Sequence, residues 1–192
     1  MAPLQNFLYD NFWRFDFGIG GLTPIITYIL YRTGVINRLV WRLFWVGFAL
    51  GLCFEIPLSV TNAFSQTMPF AYFARPLPAH FSVLIVSHSF WDAGILLLGV
   101  LLVWLLSREK YFDAFNWREL LTLIVWGQVT ELAVELTSTF NHAWVYIPYW
   151  WNPSLFKFKG FDLCLLLQLI WLAAPVVFYL IALRMKSSYR WR

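Results

Sequence analysis

Gln128, Glu131, Glu135, Ser138 and His142 follow one another at intervals of three and four residues within GQVTELAVELTSTFNH. On a helix this spacing places all five on one narrow stripe. An apolar run, Leu120–Trp126, precedes them, and the segment 117–144, about 28 residues, has the length of a membrane-spanning helix. By insertion scales a carboxylate at the centre of such a helix costs about 2.5–3.5 kcal/mol. Acids kept there are expected to serve a site.

Other apolar segments carry matching polar groups. Gly51, Glu55, Ser59 and Asn62 form a stripe on a second segment, His88 and Asp92 stand one turn apart on a third, and Cys164, Gln168 and Trp171 lead to Pro175 on a fifth. Counting about 1.5 Å per residue from the outer helix ends, Glu55, His88 and Glu135 lie roughly 13 Å deep, and Gln168 about 10 Å. Asp92 and Glu131 share a level near 20 Å. Pro57 and Pro175 leave the Cys53 and Trp171 carbonyls without their helical partners, and a freed carbonyl inside a membrane needs a partner or lines a cavity. Polar groups from four helices at similar depth imply a pocket in the outer half of a bundle.

Four carboxylates facing His88 cannot all stay ionised in so small a space, so neutral and ionised carboxyls are expected side by side. That mixture suits proton donation and abstraction. Glu55 and Glu135 are the expected donor and acceptor in either order, with His88–Asp92 as relay and Glu131 beside them. Trp91 and Trp171 are expected to stabilise positive charge through their ring faces. Gln128, Gln168 and Asn141 are expected to touch substrate, although polar residues of this kind also tie membrane helices together.

The readings open at this point are isomerisation or cyclisation of a hydrophobic lipid through a carbocation, a non-enzymatic receptor for a lipid or amphipathic amine, and a metal site. For the last, His88-x-x-x-Asp92 facing Glu131-x-x-x-Glu135 supplies ligands, although the Glu-x-x-His pairs of di-iron bundles are missing. The residues imply no cofactor.

Composition sets the frame. Only 12% of residues are charged, against about 25% in soluble domains, and mean hydropathy is +0.64. The chain therefore reads as an all-α integral membrane protein in a single domain, with five spans near 17–36, 39–64, 79–107, 117–144 and 161–185. Gly18, Gly20, Gly21 and Pro24 make the first span the weakest, expected to be kinked or partly re-entrant. The first 17 residues lack a basic start and a continuous apolar core, so they read as an aromatic segment at the membrane surface (1–16), not a cleavable signal. Cys53 and Cys164 read as small buried hydrophobes.

Ten Lys and Arg residues (Arg32, Arg38, Arg42, Arg108, Lys110, Arg118, Arg184, Lys186, Arg190 and Arg192) fall on one side, and four (Arg14, Arg75, Lys157 and Lys159) on the other. This bias places the C-terminus in the cytoplasm and the N-terminus outside or in a lumen, in the endoplasmic reticulum or a bacterial inner membrane. The basic blocks set topology and imply no nucleic-acid partner; a hydrophobic small molecule or lipid is the expected substrate, and a homodimer stays open. The outer segment 145–160, with Trp150, Trp151, Tyr146, Tyr149, Phe156 and Phe158, reads as an aromatic belt or a lid.

Gln168-Leu-Ile-Trp171-Leu-Ala-Ala-Pro175 resembles the Asn-x-x-Trp-x-x-x-Pro signature of the emopamil-binding proteins, the sterol isomerases and sigma-type receptors of the EXPERA domain. Gly127-Gln128 is similar to the Gly-Gln of their fourth span, Glu55 falls where they have a second-span acid, and His80-Phe-Ser-Val with Gly94 looks like their third span. The resemblance covers about Arg38 to the C-terminus and implies a five-helix bundle around a sterol-sized cavity. The chain departs from it at Gly51, where the isomerases carry His, and near Val86, where they carry Glu and this chain offers His88 and Asp92. Ser89 stands for their Thr, and Glu131 and Glu135 are additions. A related reaction on another isoprenoid or polycyclic lipid therefore stands beside sterol isomerisation.

Overall fold

The computed structural model describes residues 3–65 and 68–190. Five long helices carry the chain: α1 (Pro3–Arg32), α2 (Arg38–Phe64), α3 (Phe81–Ser107), α4 (Trp117–Phe140) and α5 (Leu165–Arg190). Four of them, α2 to α5, are long and apolar enough to cross a membrane, which fits an integral membrane protein. Asn37, His80 and Asn116 start α2, α3 and α4 by accepting a backbone N–H within the first turn.

α2 packs on α3 and α5, and α4 packs on the same two neighbours, so the four apolar helices close a ring. α1 lies outside it, against α3 and to a lesser degree α2. Towards the basic end the ring is filled by Leu39, Leu43, Ile95, Val100, Val103, Leu123, Phe178 and Tyr179. At that end buried Glu119 accepts from the Phe112 N–H at 3.2 Å, and the Tyr179 hydroxyl, 3.5 Å from Glu119, accepts from the Asn116 N–H at 2.7 Å. With this end packed and tied, open space is left towards the opposite end of the ring.

Several expectations are corrected. α1 runs unbroken through Gly18, Gly20, Gly21 and Pro24 and takes in most of the segment expected to lie flat at the surface. Its polar residues dilute it below the hydropathy of the other four helices, so the count of crossing helices made on that basis is four. α4 stops at Phe140; Asn141 caps it, and His142 turns away with φ 52°, off the stripe that the spacing implied. α5 starts at Leu165, because Cys164 belongs to a strand.

The outer connections are not irregular loops. β1 (Ala71–Phe73) pairs antiparallel with β2 (Trp144–Tyr146), which joins the two long connections. β3 (Ser154–Phe158) pairs with β4 (Phe161–Cys164) around Lys159 and Gly160, both at positive φ, as a tight right-twisted hairpin requires. Asn152, fully buried, accepts from the Leu166 N–H at 2.8 Å and so fixes this outer segment to the start of α5.

Candidate functional site

His88 is the centre of the polar layer. It lies on α3, facing α1 on one side and the interior of the ring on the other. Its Nε2 is 3.0 Å from Oδ2 of Asp16 on α1, and its Nδ1 is 3.7 Å from Oε2 of Glu55 on α2. All three side chains are largely shielded, at 17%, 10% and 15% exposure. An imidazole between two carboxyls can pass a proton from one to the other by exchanging which nitrogen carries it.

Local packing holds this arrangement. The Trp91 indole N–H donates to the Asp16 carbonyl at 2.8 Å, tying the α1 backbone to α3 beside His88. One turn along α1, Gly20 lies so close to α3 that an added Cβ would sit 2.7 Å from the Ser87 carbonyl oxygen. Only glycine allows that approach. The Trp144 ring, 5.6 Å from the imidazole, covers it from outside.

His88, Asp16 and Glu55 open onto a cavity of about 400 Å³ that is not fully enclosed. Ligand pockets of roughly 300–1,000 Å³ are usual for small molecules. Its wall is mainly apolar, with Phe54, Leu58, Leu84, Ile95, Leu167 and Trp171, and the acids Asp92 and Glu131 face it from α3 and α4. Four lining residues are themselves exposed: Phe15 and Ile19 on α1, and Ala133 and Thr137 on α4. They are the lining residues through which the cavity reaches the surface of the protein.

The other acids differ in surroundings. Asp92 is 7% exposed, and its Oδ2 has no hydrogen-bond partner. It fits because position 51 is glycine, where a Cβ would lie 2.8 Å from that oxygen. Glu135 is 1% exposed and sits behind Glu131, next to Tyr146; neither of its carboxyl oxygens makes a hydrogen bond of ordinary geometry. Tyr146, in β2, accepts from the Trp144 indole at 2.8 Å. Burial, reinforced by the carboxyls of Glu135 and Glu131, pushes its phenol well above the usual range, so it keeps its proton.

Of the residues expected from spacing, Glu55, His88, Trp91, Asp92, Glu131, Asn141 and Trp171 meet at this cavity. Three, Gln128, Gln168 and Glu135, do not line it. Gln128 donates its side-chain amide to the backbone carbonyl of Gln168 at 2.9 Å, which ties α4 to α5. Glu135 lies one layer behind. The expected His88–Asp92 pairing gives way to contacts with Asp16 and Glu55, because the next turn of α3 faces α2 at Gly51.

Asp16 is the residue beside His88 at the cavity that spacing did not indicate. It falls in the segment that reads as lying at the membrane surface, where a carboxylate needs no partner; the available signal is an acid between Phe15 and Phe17 with only Arg14 nearby in sequence. Among the described residues no three His, Cys, Asp or Glu side chains converge as ligands for a metal ion. In comparisons with known protein families, with characterised proteins and with solved structures, nothing matches this chain.

Proposed function

We propose that this protein is a membrane enzyme that isomerises or cyclises a sterol- or isoprenoid-like lipid by proton transfer, with α1 as a fifth crossing helix. At 1.5 Å per residue α1 is about 45 Å long, enough for a hydrocarbon core of about 30 Å. The N-terminus then faces outward and the C-terminus the cytoplasm, following the Lys and Arg bias. The observation that carries the reading is His88 held between Asp16 and Glu55 at the wall of an apolar cavity.

In this reading Glu55 delivers a proton to one carbon of a substrate double bond. Positive charge develops on the neighbouring carbon, between the ring faces of Trp91 and Trp171. Glu131, across the cavity, removes a proton from the next carbon, and the double bond re-forms one position along. One proton enters and one leaves, so no co-reactant is needed. His88 and Asp16 then re-protonate Glu55, while Glu135 takes up the proton from Glu131. The thin likeness to the emopamil-binding proteins favours the same class of chemistry, with this chain's own acids in shifted positions.

The excess of acids favours one second reading. Asp16, Glu55, Asp92 and Glu131 line one cavity with a single histidine, an arrangement that also suits a receptor for an amphipathic amine. Purified protein assayed with isoprenoid and sterol lipids separates the two. The enzyme reading expects turnover that falls by about 100-fold or more in Glu55→Gln and His88→Gln at unchanged melting temperature. Saturable amine binding with no lipid conversion would establish the receptor instead.

A further inference from the structure

The outer end of the cavity carries polar groups that the proton chemistry does not use. Asn141, at the C-terminal cap of α4, is 3% exposed and lines the cavity. Its side-chain N–H donates to the Thr137 carbonyl at 2.8 Å, which settles which end of the amide is which, and its Oδ1 is buried without a partner. Asn62 on α2 lines the same cavity and shows the reverse pattern. Its Oδ1 accepts from the Ala71 N–H at 2.9 Å, leaving the amide N–H₂ as the group it can offer.

A buried carbonyl oxygen without a donor is costly, and natural proteins keep few of them. Here the unmatched acceptor belongs to a cavity-lining residue, and the same cavity is lined by a second residue with a donor to spare. We infer that Asn141 and Asn62 form a hydroxyl-binding end of the cavity, so the ligand is a membrane alcohol whose hydroxyl points towards the outer face. The hydroxyl donates to Asn141 Oδ1 and accepts from the Asn62 amide, which uses both of its capacities. A charged ammonium belongs instead with the carboxyls deeper in. Asn141 is ten residues beyond Glu131 on α4, and Asn62 seven beyond Glu55 on α2, which separates the hydroxyl from the reacting centre by roughly 10–15 Å. An apolar body of that length between the two ends matches the apolar wall between them.

This deepens the proposed function and rests on it only in treating the cavity as a lipid site. The test is equilibrium binding to purified protein in detergent, with no turnover required. The probes are a sterol, a fifteen-carbon isoprenoid alcohol and a sixteen-carbon straight-chain alcohol, each paired with its methyl ether. At least one alcohol is expected to bind about tenfold more tightly than its ether, and that preference is expected to fall to about twofold or less in Asn141→Leu and in Asn62→Leu. Asn141→Asp, which keeps an acceptor, is expected to retain the preference and so separates recognition from capping of α4. Equal binding of alcohol and ether by the wild-type protein overturns the inference, as does the absence of saturable binding by all three alcohols. A preference that survives in Asn141→Leu does so too. Loss of proton chemistry in Glu55→Gln leaves this preference in place, so the two readings fail separately.

Discussion

Gly20→Ala tests whether the seating of α1 governs His88. An alanine Cβ at this position would lie 2.0 Å from Ser87 Oγ and 2.7 Å from the Ser87 carbonyl oxygen. The hydroxyl can rotate, but the carbonyl is fixed in α3. Reaching an ordinary contact near 3.4 Å requires α1 to withdraw by about 0.7 Å. Asp16, one turn away on α1, then moves from 3.0 Å to about 3.7 Å from His88 Nε2, outside hydrogen-bond range. A hydrogen bond involving a charged group contributes about 1.5–3 kcal/mol, and overpacking costs a further 1–3 kcal/mol, against a gain of about 1 kcal/mol from replacing glycine within a helix. Turnover is expected to drop about ten- to 100-fold, measured together with thermal unfolding in detergent. Gly18→Ala and Gly21→Ala are matched controls, since an added Cβ meets nothing within 4 Å at either position. Both are expected to be neutral or slightly stabilising. Adding Asp16→Asn to Gly20→Ala should cost little more than either change alone, because both remove the same contact. If Gly20→Ala behaves like Gly21→Ala, or if the two losses simply add, α1 does not position His88.

Other outcomes follow from the same geometry. Asp92→Asn removes an acid from the cavity wall that also holds Glu55 and Glu131, so it is expected to lower turnover with little change in melting, since Asp92 Oδ2 has no structural partner to lose; loss of the folded protein would assign it a packing role. Gln128→Leu should lower stability by about 0.5–1.7 kcal/mol through loss of its bond to the Gln168 carbonyl, and leave KM unchanged in a lipid assay. Tyr146→Phe leaves the Trp144 indole without its acceptor and removes the hydroxyl next to Glu135, so both stability and kcat are expected to fall, kcat by about tenfold or more.

The helices α2 to α5 and much of the cavity wall are legible in the sequence, because apolar runs longer than a bilayer and acids within them carry large, local costs. Glu55, His88, Asp92 and Glu131 could be identified without knowing how the helices pack. Their pairing could not. His88 meets Asp16 through the approach of α1 at Gly20, a contact between residues 72 positions apart that no spacing rule encodes. Gln128 shares its stripe with Glu131, but the α4–α5 contact at Gly127, where a Cβ would lie 3.0 Å from Pro175, directs it to a backbone carbonyl instead of the cavity. The strands of the connecting segments are hidden for another reason. Their aromatic residues suit a headgroup belt and a strand equally well, and only Lys159–Gly160 marks a turn.

The most direct measurement of the central claim is isotope uptake: purified protein is incubated with isoprenoid and sterol lipids in deuterated water, and the recovered lipids are analysed by mass spectrometry. Proton addition at one carbon and removal at another predicts one deuterium per converted molecule in the wild-type protein, and none above background in His88→Gln. Conversion without deuterium, or equal uptake in the His88 variant, would contradict the account.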